Sequence, residues 1–205
     1  MKTKLKTIST ILTLCLILLI ISCSSSEKPT EPPLTGITIG NDIEFDAYQW
    51  RVLDIQGKWA LIISKEILEK RVYHTTREDI TWDICTLREY LNEEFYYTLS
   101  PENRERILLS TNQNYNNPSY DTYGGPVTFD KIFLLSIPEV LQYLPGRIDR
   151  LARYDGEFSS WWLRTPGNNG NVASFVYVHG EISFLGSLVD NNPGGVRPAM
   201  WIALY

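Results

Sequence analysis

Strand-like patterns stand toward both ends of this chain, with helix-like patterns between them. Residues 49–55 alternate between apolar and polar side chains, Gln56 and Gly57 supply a turn, and residues 58–64 run back as a second strand. Strands at both ends with helices in the middle exclude an alternating βαβ arrangement, so we expect an α+β fold whose terminal strands pair. The remaining predicted strands are 161–164, 173–178, 181–185 and 196–204, with a two-residue turn at His179 and Gly180.

Helical spacing is concentrated in the middle of the chain. Apolar and aromatic side chains recur every three or four positions over 87–96, where Thr86 and Glu89 have the spacing of a capping box. A second helix is predicted over 101–108, with Ser100 as its cap and a proline at its first position.

A long polar segment, Thr111 to Asp130, separates the second helix from a short buried strand and a third helix, which Ser136 and Glu139 begin with capping-box spacing. Loops of such length in compact domains are typically functional or mobile. Tyrosine gives contact area at low entropy cost and asparagine gives adaptable hydrogen bonds, a composition found in binding loops. Two shorter loops rich in Asn, Gly and Pro follow. The predicted contact residues are Tyr115, Asn117, Tyr120, Asp121, Tyr123, Asn168, Asn169, Asn191 and Asn192.

Residues 1–22 have the layout of a secretory signal peptide. Lysines precede an apolar run from Ile11 to Ile21 that is too short to span a bilayer. The run ends in Ile-Ile-Ser-Cys, which resembles the lipobox of bacterial lipoproteins, so Cys23 is the predicted site of acylation and the mature N-terminus. The alternative is an ordinary signal peptide in which this cysteine has no role. Residues 23–36, rich in Ser, Pro and Glu, are predicted to form a flexible tether, and residues 37–205 a single domain.

The net charge and the number of cysteines exclude some kinds of partner and the formation of a disulfide bond. Loss of the signal removes three lysines from the 19 Lys and Arg and none of the 24 Asp and Glu, so the net charge moves from −5 to −8. Such a surface disfavours nucleic acid and anionic lipid as partners. Cys15 leaves with the signal and Cys23 is acylated, so Cys85 alone remains in the domain and no intramolecular disulfide forms.

Several sequence blocks together resemble a known domain family. The blocks are Thr81-Trp82, Leu87 to Asn92 with Phe95, Asp130 to Ser136 with Glu139, Trp161 to Gly167, a lone Gly180, and Gly195 to Ile202. In this order they resemble a family of bacterial secreted and lipid-anchored domains of unknown function, similar to the C-type-lectin-like fold of formylglycine-generating enzymes and lectin-like surface proteins. The resemblance implies an α+β scaffold with paired N- and C-terminal strands, two or three helices, and a long loop region that many relatives use for binding.

The resemblance assigns no activity to this chain. Formylglycine-generating enzymes use a pair of copper-binding cysteines, whereas this domain has only Cys85, at a predicted helix start where we expect a structural role. The sequence motifs of serine hydrolases, zinc proteases and nucleotide-binding loops are absent. No catalytic residue is therefore predicted, and an enzyme of another type stays an alternative.

Calcium is the cofactor that the sequence leaves open. Lectin-like folds often hold calcium with Asn and Asp oxygens on loops, and Asp190 with Asn191 supplies such oxygens. The ordered Glu-Pro-Asn and Gln-Pro-Asp triplets of calcium-dependent sugar binding in C-type lectins are absent, and Asn-Pro and Asn-Gly are ordinary turn formers. We therefore predict no required cofactor, with calcium as the alternative.

The tryptophans and arginines of the motifs are predicted to specify the fold. Trp161 and Trp162 are neighbours on a strand, so their rings point to opposite faces, and we expect one in the core and the other toward a helix or the loops. Arg164 and Arg197 stand beside loop exits, where a guanidinium binds several carbonyl groups or a carboxylate. The residues assigned to structure are Trp82, Arg88, Trp161, Trp162, Arg164 and Arg197.

Together these patterns predict a lipid-anchored binding or interaction module of the cell envelope. An acyl chain such as palmitate at Cys23 would hold it to a membrane, at the cell surface or in the periplasm. Its Asn/Gly/Tyr loops would face a protein, peptide or glycan. The alternatives are an enzyme of unassigned type and a structural envelope component without a small ligand.

Overall fold

The computed structural model of the protein describes residues 36–190 and 194–205. The predicted signal peptide, Cys23 with most of the tether, and the contact residues Asn191 and Asn192 lie outside these ranges. No helix within them is long and apolar enough to cross a membrane. The strands are β1 (Asp42–Phe45), β2 (Tyr48–Gln56), β3 (Trp59–Ser64), β4 (Glu69–Arg71), β5 (Ser110–Asn112), β6 (Thr128–Asp130), β7 (Arg153–Tyr154), β8 (Glu157–Phe158), β9 (Trp161–Pro166), β10 (Val172–Val176), β11 (Ile182–Leu188), β12 (Gly194–Val196) and β13 (Ala199–Ala203). The α-helices are α1 (Thr86–Tyr90), α2 (Tyr96–Thr98), α3 (Pro101–Arg106) and α4 (Ile137–Tyr143), with 3₁₀ turns at Trp82–Ile84 and Ile148–Arg150 and a π-helical turn, Leu91–Phe95, between α1 and α2.

The predicted N-terminal hairpin forms the centre of a four-stranded antiparallel sheet with the strand order β1-β2-β3-β13. Its turn lies at Gly57 and Lys58, and Gly57 supplies the positive φ, +61°. The last strand, β13, pairs with β3 so that Ala199 stands opposite Ile63. This pairing confirms the prediction that strands from both ends of the domain meet. The sheets and the short helices between them give an α+β fold.

A second sheet has the strand order β11-β10-β9-β12-β4. Strand β9 lies at its centre, parallel to β12 and antiparallel to β10, and every residue of β9 is buried. The chain leaves this sheet for the first one between β12 and β13, at Arg197 and Pro198. The single strand predicted over 196–204 is therefore wrong. Two strands in two sheets replace it, and Pro198, which has no N–H to donate to a ladder, stands at the break.

Both tryptophans of β9 lie in the interior. The indole N–H of Trp161 donates to the carbonyl oxygen of Arg150 at 2.9 Å, and that of Trp162 donates to the carbonyl oxygen of Arg71 at 2.8 Å. The expectation that only one of the two rings would enter the core is wrong, because β9 is covered on both faces. Each ring brings a buried N–H that needs an acceptor, and each finds a backbone carbonyl.

Two of the three predicted helix starts are confirmed. Ser100 accepts a backbone N–H of the first turn of α3, and Ser136 and Glu139 form the complete capping box of α4. The capping box predicted at Thr86 is wrong. Thr86 is the first residue of α1, and its N–H donates to Nδ1 of His74 at 3.2 Å. A side chain distant in sequence therefore satisfies this helix end.

Two further predicted elements differ in detail from the structure. The connection between β10 and β11 spans residues 177–181 rather than two residues, although Gly180 supplies the expected positive φ, +82°. The short buried strand predicted before α4 is replaced by an isolated bridge between Phe133 and Ala199. This bridge joins the segment before α4 to the first sheet through β13.

Candidate binding site

The long polar segment is closed by its own ends. Strands β5 and β6 pair, with Thr111 opposite Phe129, and leave residues 113–127 as the loop, which is shorter than the predicted one. Inside the loop, the amide of Asn114 donates to the carbonyl oxygen of Pro126 at 2.6 Å. This bond joins the first turn of the loop to the last.

Arg164, on β9, holds the start of the loop from inside the protein. Only 2% of this residue is exposed. Its Nε donates to the side-chain oxygen of Asn114 at 3.1 Å, and Nη2 donates to the carbonyl oxygen of Gln113 at 3.2 Å. The guanidinium also donates to the carbonyl oxygen of Leu134 at 2.7 Å and forms an ion pair with Glu139. Its planar fork thus fixes the loop, the segment before α4 and the first turn of α4 together.

Asn117 fastens the middle of the loop to the second sheet. It is buried, and its amide lies within donor distance of the carbonyl oxygens of Pro166 at 2.8 Å, Gly167 at 3.1 Å and Phe184 at 2.8 Å. Its side-chain oxygen accepts the N–H of Ser119 at 2.9 Å. Every polar atom of this side chain is therefore used inside the protein, and Asn117 does not belong to the exposed contact surface on which it was predicted.

A third asparagine braces the tip of the loop. The amide of Asn116 donates to the carboxylate of Asp121 at 2.9 Å, and its side-chain oxygen accepts the N–H of Gly124 at 3.2 Å. Asp121 has a φ of +56°, a left-handed conformation that Asn and Asp tolerate better than most residues. The carboxylate predicted as a contact group thus also serves as an acceptor within the loop.

The tyrosines of the loop are exposed to solvent. Tyr115, Tyr120 and Tyr123 are 54, 48 and 63% exposed. Hydrogen bonds of its own amides hold the loop in one conformation, while its aromatic rings face solvent. A ligand that binds this loop does not have to order it, so binding avoids that loss of conformational entropy. The loop is therefore a preformed surface with exposed aromatic side chains, the kind of surface on which binding loops depend.

One of these tyrosines stands at a cleft of about 400 Å³ between the loop stem and helix α4. We call this the Tyr115 cleft. Tyr115 and Tyr143 contribute aromatic rings, and Gln113 and Gln142 contribute amides that donate and accept hydrogen bonds. Its lining residues are Thr111, Gln113, Tyr115, Pro138, Glu139, Gln142 and Tyr143.

Glu139 and Tyr143 of the Tyr115 cleft have defined surroundings. Glu139 is bound by the Arg164 guanidinium on one side and by the N–H of Ser136 at 2.7 Å on the other. Burial, together with the nearby carboxylates of Asp54 and Glu139, raises the pKa of Tyr143 above its usual value. Its phenol therefore stays protonated at neutral pH and keeps its capacity to donate a hydrogen bond.

Sequence reasoning missed six of the seven lining residues as contact groups, among them Gln113, Glu139, Gln142 and Tyr143. The signal that would have found three of them is helical spacing. Glu139, Gln142 and Tyr143 stand at positions i, i+3 and i+4 of the predicted third helix and so share one face.

Asn168 and Asn169 are brought next to the tyrosine-bearing loop. Both are exposed, and their loop is joined to residues 113–127 by the bond from Asn117 to the carbonyl oxygen of Gly167. The side-chain oxygen of Asn169 accepts the N–H of Asn171 at 3.1 Å, so it too takes part in its own turn. The loop at 113–127 and the segment 168–171 are therefore adjacent.

Asp190 is engaged by a cation rather than grouped with other carboxylates. Its Oδ1 accepts the Nε–H of Arg77 at 3.1 Å. Between residues 36 and 190 and from 194 onward, no group of three or more His, Cys, Asp and Glu side chains is arranged to hold a metal ion. Asn191, the other proposed calcium ligand, lies outside the described residues.

Trp82 and Arg88 meet at a buried carboxylate. The indole N–H of Trp82 and the Nε–H of Arg88 donate to Asp130 at 3.1 and 2.6 Å, and Asn112 and Thr128 each donate to it at 2.8 Å. Asp130 is fully buried, and four donors offset the cost of removing its charge from water. This cluster joins α1 to the stem of the tyrosine-bearing loop.

Arg197 occupies the crossing between the two sheets. Its Nε and Nη2 donate to the carbonyl oxygens of Ser64 at 2.8 Å and Lys65 at 3.2 Å, and its guanidinium lies 5.0 Å from the ring centre of Trp161. Burial lowers the pKa of Arg197 to about 10, with the nearby charge of Arg51 as a further cause. These contacts are to backbone and core.

Cys85 lies at the start of α1 and is buried. Burial raises the pKa of its thiol to about 12. A nucleophilic cysteine needs an accessible and ionised thiolate. The position therefore suits packing rather than catalysis.

Comparison with known proteins identifies one family. Residues 56–204 match the family described as Domain of unknown function (DUF6273). No curated protein and no solved structure matches the chain. The match extends from the end of β2 to the end of the last strand. It includes Arg164, Arg197, the buried cluster around Asp130 and the tyrosine-bearing loop. The chain therefore belongs to the DUF6273 family, a family of domains of unknown function.

Proposed function

We propose that this protein is an extracytoplasmic binding module that holds a sugar unit of a glycan in the Tyr115 cleft. The proposal rests on one observation about the loop at 113–127. Its asparagines form hydrogen bonds within the protein, whereas its tyrosines are exposed to solvent. Such a loop supports binding without a large ordering cost.

The chemistry of the cleft favours a sugar over an apolar ligand. A sugar ring presents a face of C–H groups, which packs against aromatic rings, and an edge of hydroxyl groups, which need donors and acceptors. Tyr115 and Tyr143 supply the rings, and Gln113 and Gln142 supply both kinds of hydrogen-bonding group. Pockets for small ligands commonly combine aromatic walls with a few polar groups of this kind.

Binding is favoured over glycoside hydrolysis for this cleft. Hydrolysis of a glycosidic bond generally needs two carboxyl groups on either side of the bond. Glu139 is the single carboxylate among the lining residues, and Arg164 and Ser136 already hold it. Both oxygens of that carboxylate already accept hydrogen bonds from the Arg164 guanidinium.

The lectin-like fold and the membrane anchor belong to the same proposal. Paired terminal strands and a long loop held against the second sheet support a relationship to the C-type-lectin-like fold. The lipobox-like sequence before Cys23 supports acylation and a position at the cell surface or in the periplasm. Labelling with a fatty-acid probe tests the anchor, since Cys23→Ala would lose the label and undiminished labelling would refute it.

A glycan array followed by calorimetric titration tests the sugar site. The purified protein is applied to the array with and without calcium, and a retained glycan is then titrated against three variants. Tyr115→Ala and Gln142→Ala should each weaken binding by about tenfold or more, as expected for contacts at the centre of a site. Tyr97→Ala is the matched control, because Tyr97 is 62% exposed and lies on α2, outside the cleft.

The outcomes separate the candidate functions. Retention of a glycan that Tyr115→Ala does not weaken would place the sugar elsewhere and overturn the cleft. An array without any retained glycan would overturn the sugar proposal itself and favour a protein or peptide ligand, or an assembly role without a small ligand.

A further inference from the structure

A second cleft, of about 500 Å³, lies between α1 and the β5-β6 hairpin and shares no lining residue with the Tyr115 cleft. Three large apolar side chains stand on it, Ile84, Leu109 and Phe129, and they are 64, 62 and 61% exposed. They come from three elements, the first 3₁₀ turn, the link between α3 and β5, and strand β6. Exposed apolar side chains that converge on one cleft mark an interaction site. We call this the Phe129 cleft.

The cations on the floor of the Phe129 cleft are already bound to protein acceptors. Arg88 donates to the buried carboxylate of Asp130 at 2.6 Å, and the ammonium of Lys131 donates to the carbonyl oxygen of Ile107 at 2.8 Å. Asn92 accepts the backbone N–H of Lys131 at 2.8 Å. Asp130 neutralises Arg88, whereas Lys131 keeps its charge. The three lining carboxylates, Asp83, Glu89 and Glu93, outnumber that one remaining cation.

The side of the cleft formed by the helical segment is acidic. Glu89 and Glu93 line it, four positions apart and therefore on one helical face. Both are exposed, and neither forms an ion pair with another residue of the described ranges. The cleft thus offers apolar contact on its rim and unneutralised negative charge beside it.

We propose that the Phe129 cleft docks a segment of a partner protein in which apolar side chains are flanked by lysine or arginine. The apolar side chains cover Ile84, Leu109 and Phe129, and the cations lie against Glu89 and Glu93. Charge complementarity selects this occupant, because an acidic segment would be repelled. A second copy of this chain docked face to face would set the same carboxylates against each other.

Two short peptides test the proposal with the purified protein. They have the same leucine and phenylalanine content, but one carries lysines where the other carries glutamates. Binding is followed by amide NMR shifts and by affinity at low and moderate salt. Leu109→Gln and Phe129→Gln should each weaken binding of the lysine peptide by about tenfold. Ile148→Gln is the matched control, since Ile148 is 82% exposed and does not line the cleft.

A variant without the two carboxylates tests the role of charge in peptide binding. The double change Glu89→Gln and Glu93→Gln should weaken the lysine peptide and flatten its salt dependence, whereas Glu44→Gln, an exposed carboxylate on β1, should leave both unchanged. Shifts centred on Ile84, Leu109 and Phe129 support the proposal. Three results would overturn it: no binding of the lysine peptide, equal binding of the glutamate peptide, or binding that Leu109→Gln and Phe129→Gln leave intact. Self-association that Leu109→Gln abolishes would assign the cleft to a second copy instead.

Discussion

The guanidinium of Arg164 on β9 and the carboxylate of Glu139 in the first turn of α4 form a two-point ion pair, with Nη2 and Oε1 2.7 Å apart. Only 1% of the Arg164 side chain is exposed, against 25% of the Glu139 side chain. The carboxylate also accepts the N–H that completes the capping box of α4. One ion pair therefore serves the helix start, the central strand and the tyrosine-bearing loop.

Removal of Glu139 should be strongly destabilising. Glu139→Ala leaves a buried guanidinium without its counter-charge and removes half of the capping box, so we expect a loss of about 3 kcal/mol or more in the free energy of unfolding. Urea unfolding measures it. Glu102→Ala is the control, because Glu102 lies in the first turn of α3 and is exposed, and it should cost less than about 1 kcal/mol. Equal losses in the two variants would show that the ion pair contributes nothing beyond a helix-end charge.

Asn117 should behave as a core residue despite its place in a polar loop. Asn117→Ala removes the donor from three carbonyl oxygens, two of them in buried bonds, and the acceptor from two N–H groups, so we expect a loss of about 2–4 kcal/mol. Chemical unfolding gives the size, and faster amide exchange over residues 113–127 gives the place. Asn168→Ala, at an exposed position of the adjoining loop, should change stability by less than about 0.5 kcal/mol. A small loss at Asn117 would mean that water replaces its bonds and that the loop is not fixed by them.

The sequence predicted most of what depends on near neighbours, together with the pairing of the terminal strands, and was wrong at several positions where distant residues decide. The capping box of Ser136 and Glu139 is encoded within four positions and is present. The box at Thr86 has the same spacing but is absent, because His74 reaches the helix start from outside it. Likewise, composition marks residues 113–127 as a polar loop but does not reveal that Asn117 is buried, since its partners lie about fifty or more positions away.

In the Tyr115 cleft, too, one feature depends on near neighbours in sequence and another on distant residues. Helical spacing places Glu139, Gln142 and Tyr143 on one face of α4, which a sequence can show. That this face meets Tyr115 depends on the anchoring of the loop by Arg164, a contact across fifty positions. The spacing of residues along the sequence does not reveal a contact between two residues fifty positions apart.

Gly180 should resist substitution for two separate reasons. Its φ is +82°, and a Cβ there would lie 2.1 Å from the carbonyl oxygen of Arg147. Gly156→Ala is the matched control, since Gly156 has a φ of +84° but no atom within 4 Å of the place that an added Cβ would occupy. Both variants carry the left-handed backbone cost of about 1–2 kcal/mol, and Gly180→Ala should lose at least about 1 kcal/mol more through the clash. Equal melting temperatures for the two variants would contradict the close approach.

The buried thiol of Cys85 should make stability fall with rising pH. Burial raises its pKa from 9.0 to about 12, so below pH 9 the thiol is protonated in both the folded and the unfolded chain. Above that value the unfolded chain releases its proton while the folded chain retains it, and stabilisation is lost progressively between about pH 9 and pH 12. Tyrosines such as Tyr73, whose pKa burial also raises, contribute in the same direction, so the wild-type curve alone does not isolate the cysteine.

Comparison with Cys85→Ala isolates this contribution. Tyr73 contacts Cys85, but burial is the largest cause of its raised pKa and is present in both proteins. The difference in their free energies of unfolding should therefore change by about 1 kcal/mol in favour of the variant between pH 8 and pH 10. Urea unfolding at the two pH values measures the change, and slow reaction of the folded protein with a thiol reagent at pH 8 provides an independent check. A difference that stays constant with pH, together with rapid labelling of the folded protein that is lost in Cys85→Ala, would show that the Cys85 thiol is open to solvent and would restore it as a candidate reactive group.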